Sequence, residues 1–143
     1  MSKLFATLVF INIAFIWYNG LQDAESSSQA SGVIVEVTED VLTAIDVEVS
    51  QDELTQVIRS LAHVIQYLSL GIFSTLWMLS MKKSFGYLYL SGLVMISDEW
   101  LQTFAPGRAF EWSDIGLDML GFSLGIMFIV MLTLGRKLLC VES

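Results

Sequence analysis

Between residues 59 and 67 an arginine, a histidine and a tyrosine recur at every fourth position: Arg59, His63 and Tyr67. On a helix this spacing places all three on one face. Glu99 and Gln102 share a face at i, i+3, and Asp114 and Asp118 do so at i, i+4. Asp98 points about 100° away from Glu99. Arg108 closes the sequence Pro106-Gly107-Arg108, which holds the chain's one proline. An imidazole beside a carboxylate is a general base, and His63 with Glu99 is the candidate acid/base pair. The arginines suit an anion, because a guanidinium binds phosphate or carboxylate through paired hydrogen bonds. The purely structural alternative is a buried ion-pair network that fixes helix register. In it Arg59 and Arg108 neutralise two of Glu99, Asp114 and Asp118.

Other chemistries find no support. One His with carboxylates can hold a divalent ion, but this ligand spacing is not diagnostic, so no metal is expected. No phosphate loop, nucleotide fingerprint or nucleophile elbow is present, and no cofactor is expected. Cys140 stands alone, which excludes an internal disulfide; near the inner face it is an inert thiol or an acylation site.

The elements that must hold these residues are membrane helices. The hydrophobic set makes up 55% of the 143 residues and charged residues only 15%, against about 25% in soluble domains. A bilayer span needs about 20 mostly apolar residues. Four candidates are read, at about 4–18, 61–81, 85–101 and 115–134, in a single domain over 1–143. An all-α membrane protein with four transmembrane helices is therefore expected. The first segment, with Lys3 before an apolar run, has a cleaved signal peptide as its alternative. Lys3, Lys82, Lys83, Arg136 and Lys137 lie at one set of span ends, and only Arg59 and Arg108 at the other. The basic side faces the cytoplasm, so both termini are expected inside. Met78, Met81, Met95, Met119, Met127 and Met131 are expected to pack or face lipid.

The net charge of −8 argues against nucleic acid, whose phosphates need basic patches. It comes from one place. The external loop 19–58 carries nine acids and no Lys or Arg, whereas the rest of the chain is close to neutral. Within the loop Ile34, Val37, Val41 and Ile45 suit a short amphipathic helix with one face on the bilayer or the bundle, and a strand over Val33–Val37 is the alternative. Ser50 with Glu53 forms a capping box, so a helix is expected from Gln51 that runs on into the second span. In the second external loop, 102–113, Pro106-Gly107 fits a type II turn that brings Arg108 to the mouth of the bundle. Ser113 is the expected cap of a last helix starting near Asp114. Gly121 and Gly125 continue the Asp114–Asp118 stripe at a spacing that permits close helix approach.

Together these residues resemble the VanZ-like family. That family carries a basic residue, then His, then Tyr at intervals of four, here in RSLAHVIQYLSLG, although Val64 stands where an aromatic is usual. Its longer motif is met by SDEWLQTFAPGRAFEWSDIGLDMLGFSLG, through Glu99, Gln102, Pro106, Gly107, Arg108, Asp114, Gly121 and Gly125, with Asp118 where Asn or Asp is usual. The Ser-rich stretch ESSSQASGVI is similar to the family's first external loop. The resemblance implies a small four-helix protein of a prokaryotic plasma or inner membrane, in a family named for low-level resistance to the lipoglycopeptide teicoplanin. It implies no settled reaction. The expected function is a non-enzymatic envelope protein whose outward polar pocket binds an anionic lipid headgroup, a cell-wall precursor or an acidic group of the antibiotic. A membrane enzyme using His63 and Glu99 on a lipid-linked substrate is the second reading. A transporter or flippase is the third, and it would need an oligomer. The bilayer itself is the one partner that composition implies.

Overall fold

The computed structural model describes residues 1–46, 49–82 and 88–141. Among them the chain is all-helical, with five helices: α1 (Ser2–Gly20), α2 (Ala24–Ala44), α3 (Gln51–Met81), α4 (Leu88–Gln102) and α5 (Trp112–Val141). Glu48, Lys83 and the expected start of the third span at Phe85 lie outside the described residues, as do the side chains of Arg136, Lys137 and Cys140.

Among the described residues three helices are long and apolar enough to cross a membrane: α1, α3 and α5 over Trp112–Gly135. At 15 residues α4 spans about 22 Å, short of the roughly 30 Å hydrocarbon core. α1 joins the core through Val9 and Ile16, and Asn12 Nδ2 donates to Ser69 Oγ at 2.6 Å.

The segment expected as a long loop is mostly helix. Its first part, α2, is the expected amphipathic helix but longer, at 21 residues, and the strand alternative over Val33–Val37 is not adopted. Asp23 caps it by accepting from Ser26 N–H at 2.7 Å, and this bond holds the Asp23 carboxyl below the usual aspartate range. Val35 packs with Leu54 and Ile58 of α3, and Leu42 lies against them. The Ile34, Val37, Val41 and Ile45 stripe faces away from the bundle, each residue more than half exposed. The bundle does not cover that stripe among the described residues. α3 starts where the capping box places it: Ser50 Oγ accepts from Glu53 N–H and Glu53 reaches back to Ser50 N–H. It then runs unbroken for 31 residues, to Lys82 in the left-handed region.

The second loop forms the expected turn. Arg108 N–H donates to the Ala105 carbonyl at 3.2 Å, and Gly107 has φ 75, the positive value a type II turn requires at that position. Ala24 N–H donates to the Pro106 carbonyl at 3.1 Å, tying this turn to the start of α2. The last helix begins at Trp112, ahead of the expected start near Asp114. Ser113 therefore sits in its first turn and does not cap it; its hydroxyl lies 3.5 Å from Glu111 Oε2. The reason is local. Glu111 N–H is held by Glu99 Oε2 at 3.0 Å, and Asp114 N–H already donates to the Glu111 carbonyl at 3.2 Å.

Among the described residues helices α3 and α5 make the most extensive contact. Gly121 lies on the Val64 carbonyl, Gly125 on the Leu68 carbonyl, and Gly71 of α3 on the Phe122 carbonyl of α5. A Cβ at any of the three would overlap backbone. The sequence pattern identified the two glycines of α5; their counterpart Gly71 ends the stretch RSLAHVIQYLSLG but was not singled out. Of the methionines, Met78 and Met95 are buried while Met119, Met127 and Met131 are exposed.

Candidate functional site

This close α3–α5 crossing sets the depth at which His63 of α3 meets the carboxylates of α5. His63 Nδ1 lies 3.0 Å from Asp118 Oδ1, and Nε2 lies 3.9 Å from Asp114 Oδ2. These are the only ion-pair contacts among the described residues. When the Nδ1 proton occupies the bond to Asp118, Nε2 keeps its lone pair and faces Asp114.

The end of α4 supplies the third wall. Tyr67 donates its hydroxyl to Asp98 Oδ2 at 3.3 Å. Gln102 Nε2 donates to the same oxygen at 3.3 Å and to Glu99 Oε1 at 3.0 Å. With Glu111 N–H on its Oε2, Glu99 has both oxygens engaged and is fully buried. Tyr67 and Asp118 are fully buried too, and Asp98 and Gln102 are 2% exposed. An apolar bundle tolerates so many ionisable groups only where they pair with each other or meet a wet cavity.

Arg108 enters from the turn. Its Nη1 donates to the Asn19 carbonyl at 3.1 Å, at the C-terminal end of α1, where cations are favoured. Its Nε is buried without a hydrogen-bond partner. Burial, and then the facing Arg59 guanidinium, hold its pKa below the ordinary arginine value. The two arginines share a small polar cavity of about 60 Å³ with Asn19, His63, Asp98 and Gln102. A wider cleft of about 340 Å³ adjoins it, lined by Arg59, His63, Glu111 and Asp114 among others.

Five expected site residues therefore meet in one buried cluster: His63, Tyr67, Glu99, Gln102 and Asp118. Asp114 stands at its rim, with Arg59 and Arg108 beside it. Gly121 and Gly125 lie outside the site, in the helix contact that supports it. Two contacts differ from those considered from the sequence. Neither arginine ion-pairs with a carboxylate among the described residues; the turn and the α1 terminus hold Arg108 on a carbonyl instead. The partner bonded to His63 is Asp118, because Glu99 is taken up by Gln102 and Glu111.

Asp98 is the residue sequence reasoning left out. It points away from Glu99 around α4, but that direction is filled by Tyr67 and by Gly20 of α1, where a Cβ would overlap Asp98 Oδ1. The available signal was a second acid beside Glu99 at the end of an apolar segment, which must find partners somewhere.

The sequence profile of the VanZ/LLP1 family matches residues 5–133. The chain belongs to the VanZ/LLP1 family. The match spans α2, α3 and α4 whole and all but the outer ends of α1 and α5, so both the arginine cavity and the His63 cluster lie inside the family region. No curated protein and no solved structure matches the chain. Among the described residues of this VanZ-family protein, two triads have ligand atoms close enough to share an ion: His63, Glu99 and Asp114, and His63, Asp98 and Asp118, each set within 4.8 Å.

Proposed function

We propose that this VanZ-family chain is a multi-pass protein of a prokaryotic cell membrane that binds an anionic group in its arginine-lined cavity. In this reading α4 is the fourth span, and its short length is offset by α1, α3 and α5 packed around it. Both termini are inside and the cavity opens outward, in line with the bias of the basic residues. The observation that carries the proposal is the pair Arg59 and Arg108. Two guanidiniums face one small cavity without an ion-pair partner among the described residues, and one of them keeps a buried Nε unpartnered there. An anion between them would remove their repulsion and supply the missing acceptor. Lipid headgroup phosphates and the acidic groups of cell-wall precursors or lipoglycopeptides share this chemistry.

The purified protein in detergent is expected to retain phosphatidylglycerol about tenfold over phosphatidylcholine. Arg108→Ala should lose that preference, since a charged hydrogen bond contributes about 1.5–3 kcal/mol. Arg108→Lys should keep part of it, because lysine supplies charge without the fork. Equal retention of the two lipids by the unaltered protein would count against the proposal. The link to resistance has its own test. Expression in a teicoplanin-sensitive Gram-positive host is expected to raise tolerance to teicoplanin more than to vancomycin; equal susceptibility with and without the protein would remove it.

The bond between His63 and Asp118 favours a second reading. A buried carboxylate that orients an imidazole and leaves Nε2 toward a cleft is the arrangement of a general base. An enzyme of this kind would act on a lipid-linked substrate held by the same arginines.

A further inference from the structure

Two carboxylate oxygens in the cluster are left over by its hydrogen bonds. Asp118 Oδ2 and Asp98 Oδ1 are buried and have no partner among the described residues, on residues 0% and 2% exposed. Their sister oxygens are engaged, Asp118 Oδ1 by His63 and Asp98 Oδ2 by Tyr67 and Gln102. An unpartnered buried oxygen costs about 1–3 kcal/mol, more when charged. The basic side chains that could meet that need do not reach: neither arginine is in ion-pair contact with Asp98 or Asp118. One imidazole nitrogen and one oxygen from each aspartate do lie within 4.8 Å of one another.

We propose that His63, Asp98 and Asp118 form a divalent-cation site. Ligands of a tetrahedral ion stand about 3.4 Å apart, a contraction that side-chain rotation of the two aspartates supplies. The donor set selects the ion. One imidazole with two carboxylates suits Zn²⁺ or Mn²⁺; Mg²⁺ and Ca²⁺ prefer oxygen alone, and thiolate-loving ions find no sulfur here. The neighbouring triad of His63, Glu99 and Asp114 fits less well, because Gln102 and Glu111 already occupy both oxygens of Glu99. Three protein ligands leave a position open, and His63 and Asp98 both line the cavity that holds Arg59 and Arg108. The cation site stands independently of anion binding there: either can hold without the other.

The test uses the full chain, purified in detergent, stripped with EDTA and dialysed against Zn²⁺ or Mn²⁺. About one ion per chain is expected by elemental mass spectrometry, and Mg²⁺ at the same concentration should not be retained. Asp118→Asn should weaken retention at least about a hundredfold, the upper end of what even an outer ligand partner contributes. Glu36→Gln, on the exposed side of α2, should leave it unchanged, which separates the cluster from diffuse binding by the acidic segment. Co²⁺ bound to the unaltered protein should show the visible absorption of a low-symmetry N/O site. That measurement needs no variant and decides the matter if Asp118→Asn does not fold. Clearly less than one ion per chain, equal retention by Asp118→Asn, or Co²⁺ with the spectrum of the aqueous ion would each overturn the proposal.

Discussion

Gly121→Ala should destabilise the protein by about 3 kcal/mol, whereas Gly116→Ala, one turn and a residue earlier on the same helix, should be neutral or mildly stabilising. The chemical change is identical, one methyl group. The surroundings differ. A Cβ at Gly121 would overlap the carbonyl oxygen of Val64 and crowd its carbonyl carbon, and a Cβ at Gly116 meets nothing within 4 Å. The obstacle at Gly121 is backbone in the middle of α3, which cannot rotate aside as a side chain can. The two helices must separate, and separation also lifts Gly71 and Gly125 from their carbonyl contacts. Overpacking typically costs about 1–3 kcal/mol, and the upper end applies because backbone has to move. At Gly116 the substitution is worth up to about 1 kcal/mol in favour of the helix. Thermal midpoints in detergent, followed by the fluorescence of the four tryptophans, would show the contrast. A similar midpoint for both variants would mean that α3 and α5 do not meet through these glycines. Because the same crossing sets His63 against Asp118, Gly121→Ala should also impair whatever the cluster does.

The parts of this molecule that were legible in its sequence are those governed by local rules. The Ser50–Glu53 capping box, the turn at Pro106-Gly107 and the close approach at Gly121 and Gly125 all depend on residues within one or two turns of each other. The stripes of Arg59, His63 and Tyr67, and of Asp114 and Asp118, are helical periodicity and were readable for the same reason. Pairing across helices was not. The partner of His63 depends on how α5 is rotated about its own axis, and no spacing within α5 states that rotation. Asp98 was left out of the site because one helix considered alone suggests a single polar face. The end of α4 is enclosed on several sides, and Gly20 of α1 makes room on the second one. The acidic segment misled in another way. Its serines and acids read as loop, but Asp23 turned one acid into a helix cap, and contacts of Val35 and Leu42 with α3 outweighed the modest helix propensity of the rest.

Replacing His63 with leucine should be more damaging than replacing both His63 and Asp118. Among the described residues His63 supplies the sole hydrogen bond to the Asp118 carboxylate, at 3.0 Å, and the other oxygen of that carboxylate has no partner already. His63→Leu therefore leaves a fully buried carboxylate with no donor at all. Breaking a buried charged pair from one side costs about 3–5 kcal/mol, most of it the penalty on the stranded partner. His63→Leu/Asp118→Leu removes that penalty and fills the space with apolar volume of similar size, an exchange that is often neutral in buried pairs. The expected result is a non-additive cycle in which the second substitution restores about 2 kcal/mol or more of what the first removed. Midpoints of thermal unfolding for the two single variants, the double variant and the parent supply all four corners. Simple additivity would mean that the two side chains do not share a bond. The cycle also separates structure from function. If the cluster existed only to hold the helices in register, the double variant would regain whatever property the protein confers on its membrane along with its stability. A site that binds an ion or moves a proton through His63 predicts the opposite: stability returns and the property does not, because leucine can pack in that place but cannot ligate or titrate.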